Sequence, residues 1–364
     1  MNPVEGVRQA GQSLWLDYIS RGLIRSGGLK RLIEQSGITG LTSNPTIFER
    51  AIDETNDYSD ALERLAATQL DARSVYESLS VEDVRDACDL LKPVHENTGG
   101  ADGYASIEVS PCLAHDSKGT VDEATRLWRE IGRPNLMVKI PATNEGIPAI
   151  ADSLARGINI NVTLIFSMRQ YDAVVNAFLD GIGRADNPLQ LASVASVFVS
   201  RVDTAVDREL EKIGTPAALA LRGRAAIANA RLIYRRFREI FTSSRFAALH
   251  DRGIRPQRVL WGSTGTKNPA YRDLMYVEDL VAPETINTLP PATLRALEDH
   301  GRIRGATAAE GWTEAESALQ GIRGVGVNFE ALLDKLESDG VASFSRSLEK
   351  LLKTIDHKRS IAAH

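Results

Sequence analysis

The chain has 364 residues, 43% hydrophobic and 25% charged, which is ordinary for a folded protein and ample for one large core. Its 43 basic and 48 acidic residues leave a formal net charge of −5 without long like-charge blocks, so no basic field marks a nucleic-acid binder. No stretch approaches the ~18–20 apolar residues of a membrane span, and the opening MNPVEGVRQAGQS lacks the apolar run of a signal peptide.

Two cysteines, Cys88 and Cys112, are too few for a disulfide framework. The histidines are scattered, with no i, i+4 pair and no Cys/His cluster, so no metal site is legible. The expectation is a soluble, cytoplasmic protein with no cofactor, no metal, no nucleic-acid partner and no membrane partner, working as a monomer or homodimer.

Apolar strand-like runs alternate with helical patterns along the chain. SLWLDYI (13–19) precedes IRSGGLKRLIEQ, and GITGLTSNPTIF (37–48) precedes a long helical region reaching about residue 95. YASIEVSP (104–111), NLMVKIPA (135–142) and NINVTLIF (159–166) are each followed by an amphipathic stretch. LASVASVFVS (191–200) leads into helix out to about residue 250, and RVLWGST (258–264) and PETINTLP (283–290) are the last strands. Eight βα units predict a closed parallel barrel, a (β/α)8 TIM barrel. The alternative, an open doubly wound sheet, is unsupported, because no G-x-G-x-x-G follows a strand. The expectation is one catalytic domain over 1–364, with 312–358 a C-terminal helical extension.

The arginine-rich helix near 220–249 has an apolar stripe at Ile227, Ala230, Tyr234, Phe237 and Phe241, spaced by three and four. Arginines beside such a stripe read as a solvated face with buried stems.

LMVKIPAT (136–143) holds an oddity: Leu136, Val138 and Ile140 share one face, while Lys139 stands in the middle of the other. A single lysine there is ordinarily a surface residue, but the other strands repeat the pattern. Ile107 and Val109 oppose Ser106 and Glu108; Ile160, Val162 and Leu164 oppose Asn161 and Thr163; Leu14 and Leu16 oppose Trp15 and Asp17; Thr42 and Asn44 fall together, as do Ser196 and Phe198. Both faces of a parallel sheet are covered, so the apolar face sits under helices and the polar one points into the barrel. Asp17, Asn44, Glu108, Lys139, Asn161, Thr163 and Ser196 then converge near the carboxyl ends of the strands, where barrel active sites are built. A structural Glu108–Lys139 ion pair explains little, because burying it carries a desolvation penalty of several kcal/mol.

Lysine in water is protonated and cannot attack a carbonyl. Burial disfavours the ammonium, and the released amine forms Schiff bases with carbonyl substrates. Such chemistry needs proton carriers, and Glu108 and Asp17 are available for that work; a tight Glu108–Lys139 pair would oppose it.

The segments LWLDYI, GLTSNPTIF, GYASIEVSP, LMVKIPAT, GININVTLIFS and ASVFVSRVD occur in that order, and with them the chain resembles the transaldolases over nearly its whole length. The resemblance implies an (α/β)8 barrel with the Schiff-base lysine on the fourth strand. It also implies transfer of a dihydroxyacetone unit from sedoheptulose 7-phosphate to glyceraldehyde 3-phosphate, giving erythrose 4-phosphate and fructose 6-phosphate, in the pentose phosphate pathway. Small-molecule sugar phosphates are the implied partners.

Carried across by that resemblance, Lys139 is the nucleophile and Glu108 shuttles protons through a water held by Thr163. Asp17 takes and returns the C4 hydroxyl proton. Asn44 and Asn161 hold the dihydroxyacetone hydroxyls, Ser196 lines the pocket, and Arg201 binds the sugar phosphate. The chain departs from the family after strand seven, where S-F-R-N often supplies a second phosphate arginine. Here STGTKN places Lys267 nearest that position, as a point charge without the planar guanidinium fork. Cys112, four residues after Glu108, is expected to be a small buried residue. Rival readings are another Schiff-base aldolase of sugar phosphates that releases its product freely, and a non-catalytic sugar-phosphate-binding barrel.

Overall fold

The computed structural model describes residues 2–66 and 68–362; His364, one of the scattered histidines, lies outside them. Eight strands form a closed, all-parallel barrel in sequence order: β1 Gln12–Leu16, β2 Gly40–Leu41, β3 Ala105–Glu108, β4 Leu136–Pro141, β5 Ile160–Ile165, β6 Ser193–Phe198, β7 Arg258–Gly262 and β8 Thr285–Leu289. The barrel expected from the sequence is therefore present. It closes where β1 pairs with β8, Gln12 opposite Thr285 through Leu16 opposite Leu289.

Several strands are shorter than their apolar runs. β1 stops at Leu16, so Asp17 stands just beyond it, its amide donating to the Leu289 carbonyl at 2.8 Å. β2 is only two residues long, because Asn44 caps the helix Pro45–Glu54 and Pro45 takes its first position, where a missing N–H costs nothing. The long arginine-rich helix also divides, into Ala225–Phe241 and Ser244–His250, Ser243 capping the second piece. Arg235 and Arg236 of the first piece pair with Glu316 and Asp172, as a solvated face should.

The alternation sorts side chains as the two environments demand. Leu14, Leu16, Ile107, Val138, Ile140 and Val162 are buried in the layer between sheet and helices. Trp15, Tyr104, Met137, Val194, Leu260 and Ile286 form a separate cluster filling the barrel interior. Gly40 makes room for that plug: a Cβ there would lie 2.5 Å from the Trp15 ring. Polar side chains thus occupy the layer above a floor that excludes water.

β5 carries an irregularity, its register to β6 shifting between Val162 and Ile165, with Leu164 at φ 59°. A bulge of this kind re-aims the chain beside a site, and it breaks the strict alternation just after Thr163. The chain ends in two helices, Trp312–Gly324 and Phe329–Ala362. The second packs on the helix Pro45–Glu54 through Thr46–Ser347 at 2.8 Å and the Lys350–Glu49 ion pair. Among the described residues, no helix is long and apolar enough to cross a membrane.

Candidate active site

The barrel register sets the first part of the site. Glu108 of β3 is level with Lys139 of β4, which is level with Asn161 of β5, so three polar side chains stand side by side. Lys139 is only 3% exposed, and its Nζ donates to the Ser43 carbonyl at 3.2 Å. Glu108 Oε2 lies 3.6 Å from that Nζ, within ion-pair range but too far for a good hydrogen bond.

Burial pushes the Glu108 carboxyl up to about 7, against the pull of Lys139 and with some help from Asp17. Such a group can both give and take a proton near neutrality. Asp17 is also raised by burial, opposed by Lys139 and by the Thr42 hydroxyl, which donates to it at 2.7 Å. Thr42 in turn contacts Thr288 at 2.7 Å. Two carboxyls raised by burial thus share a site with one buried amine, which is how acid–base sites are set.

A cavity of about 540 Å³ opens above this layer, its wall including Asp17, Asn44, Lys139, Ser196, Arg201 and Lys267. Six of the nine residues singled out from the sequence therefore meet at one surface. Asn44 has its Oδ1 committed to capping, accepting from the Ile47 amide at 3.0 Å, so its amide nitrogen is the free donor. Asn161 is fully buried behind the wall: its Nδ2 donates to Ser106 Oγ at 3.1 Å, and its Oδ1 accepts from Ser196 Oγ at 2.6 Å. Thr163 is fully buried as well, and neither its Oγ1 nor Glu108 Oε2 has a hydrogen-bond partner among the described residues.

Arg201 is the second residue of the helix Ser200–Ile213 after β6, and burial holds its guanidinium below its ordinary range. Lys267, on the loop after β7, is likewise lowered, first by burial and then by Arg201 and Arg50 nearby. A bound dianion opposes both effects, so this end of the cavity suits a phosphate.

No local pattern in the sequence marks Ser43 or Thr42 as partners of the lysine and the aspartate, or places Arg50, Arg295, Ser263 and Phe344 on the cavity wall. Ser263 adopts φ 55° at the end of β7, and no local pattern announces that. One expectation fails: Cys112 is exposed, because it falls in the short 3-10 turn Pro111–Leu113 just past β3 and no longer follows the strand inward. Among the described residues, no cluster of His, Cys, Asp and Glu could hold a metal ion.

The family model described as transaldolase/fructose-6-phosphate aldolase matches residues 14–355. A protein of Thiobacillus denitrificans named transaldolase is 48% identical over 98% of this chain and 100% of its own length. A second, from Thermobifida fusca, is 47% identical over 100% of this chain and 99% of its own. A third, from Frankia alni, is 46% identical over 97% and 96%.

Proposed function

Because the chain belongs to the transaldolase/fructose-6-phosphate aldolase family, we propose that it is a transaldolase acting on sugar phosphates through a Schiff base on Lys139. In this reading a dihydroxyacetone unit passes from sedoheptulose 7-phosphate to glyceraldehyde 3-phosphate, leaving erythrose 4-phosphate and forming fructose 6-phosphate. The observation that carries it is an amine 3% exposed inside a barrel, 3.6 Å from a carboxyl that is itself pushed to about 7.

The Lys139 amine attacks the ketone carbon of the donor, and the carbinolamine loses water to give an iminium. Glu108 carries those protons through a water held by Thr163; the two unpartnered buried oxygens support this, since a buried polar atom left unpaired costs about 1–3 kcal/mol. Asp17 takes the C4 hydroxyl proton as the C3–C4 bond breaks, and the bonding electrons pass into the iminium to form an enamine. The aldehyde leaves. The enamine then attacks the acceptor aldehyde, Asp17 returns the proton to the new hydroxyl, and water releases the product from Lys139.

Asn44 and Ser196 hold the dihydroxyacetone hydroxyls from the cavity wall. Asn161 acts beside them, tied to Ser196. Arg201 and Lys267 take the phosphate. A cytoplasmic location belongs to the same reading and is supported by two free cysteines.

The test against a free aldolase is acceptor dependence. Fructose 6-phosphate alone should be cleaved slowly, and added erythrose 4-phosphate should speed its consumption many-fold with sedoheptulose 7-phosphate appearing. Rapid free dihydroxyacetone without acceptor would show the aldolase instead.

The pH dependence follows from Glu108. Below about pH 7 its carboxyl is protonated and cannot take a proton as the carbinolamine forms; above it the carboxylate can. Schiff-base formation in a single turnover should therefore rise through about pH 7. In Glu108→Gln that limb should vanish and the rate fall by on the order of 10²-fold or more. An unchanged profile in that variant removes Glu108 from the mechanism.

A further inference from the structure

The Arg201 guanidinium lies between two aromatic rings, 5.2 Å from the centroid of Phe198 and 5.8 Å from that of Phe344. Phe198 ends β6, three residues before the arginine. Phe344 comes from the last helix, Phe329–Ala362, and is itself buried. One turn earlier on that helix, a Cβ on Gly340 would meet Leu164 Cδ2 at 2.8 Å and Arg201 Nη1 at 3.6 Å. Ser347, three residues beyond Phe344, is fixed to Thr46. Gly340, Phe344 and Ser347 thus share one helix face, and it is turned to the cavity mouth.

Aromatic faces hold a cation differently from a carboxylate. They attract the guanidinium through its flat surface and leave its N–H donors at the edge uncommitted. No ion pair with another described residue competes for them. An arginine so held is fixed in direction before any anion arrives, which lowers the ordering cost of binding.

We propose that Phe344 is a positioning residue that aims Arg201 at the phosphate of the sugar, so that preference for phosphorylated acceptors depends on the C-terminal helix. This rests on the reading of Arg201 as the phosphate ligand.

The experiment compares kcat/KM for glyceraldehyde 3-phosphate with kcat/KM for glyceraldehyde, at saturating sedoheptulose 7-phosphate, reading release of erythrose 4-phosphate. Phe344→Leu should lower the ratio of the two about tenfold, the size expected of a partly desolvated cation–π contact. Phe344→Met fills more of the space without a π face and should lower it similarly, so the result survives if the leucine variant folds poorly. Phe344→Tyr keeps a ring and should hold the ratio within about twofold. An unchanged ratio in both aliphatic variants, or an equal loss with both acceptors, overturns the proposal. Arg201→Ala is run beside them: if it leaves the ratio intact, the phosphate role of Arg201 fails, and that outcome is distinct from failure of Phe344 alone.

Discussion

Replacing Lys139 by methionine will leave a folded protein that neither forms a Schiff base nor transfers a three-carbon unit. Without the amine no iminium exists to receive electrons from the breaking bond, so turnover should fall by on the order of 10⁴-fold or more. The fold should survive, because methionine has a similar reach and Lys139 Nζ has one protein hydrogen bond among the described residues, to the Ser43 carbonyl. Taking one partner from a buried pair is costly where it strands a charge, but Lys139 is what pulls the Glu108 carboxyl down, so without it Glu108 stays neutral. The melting temperature should therefore stay close to that of the native chain. The paired measurement is mass spectrometry after borohydride with fructose 6-phosphate. The native chain should gain a reduced three-carbon adduct at Lys139, and the variant none. An adduct on another lysine, or a variant that still turns over, would refute the assignment.

Asp17→Asn should separate cleavage from attachment. Asparagine keeps the shape and can still accept from Thr42 but cannot take the C4 hydroxyl proton. Proton transfer of this kind is worth roughly 10²–10⁴-fold, so kcat should fall by about that factor. The Schiff base should still form, since Lys139 and Glu108 are untouched. Borohydride should then trap the whole six-carbon sugar phosphate on Lys139, where the native chain carries only three carbons. Loss of all trapping would make Asp17 necessary for attachment, and a three-carbon adduct formed at native speed would leave it no role in bond breaking.

The barrel was legible because period-two alternation and eight βα repeats are local signals, and the inward polar face followed from the same count. Lys139 was conspicuous since its strand is otherwise apolar. The Glu108–Lys139–Asn161 row needs strand register, which the alternation constrains and pairing settles. Less readable were features made by distant contact. Ser43 meets the lysine through a backbone carbonyl, which any residue type supplies. Phe344 looks like one more apolar residue of an amphipathic tail until the helix is laid across the mouth. The bulge at Leu164 has no glycine to announce its positive φ, and Cys112 misled because the strand stops at Glu108 and the chain turns outward.

β1 and β8 close the cylinder between distant parts of the chain: the Gln12 side chain bonds Thr285 at a separation of 273 residues, and Asp17 is anchored by Leu289. Contacts this remote form slowly, because the connecting chain must first give up its freedom. On the ribosome, the segment carrying Asp17 emerges well before β8, the partner that anchors it, has been made. In refolding from denaturant, helical signal should therefore return well before turnover does, with bond-cleaving competence among the last properties to arrive.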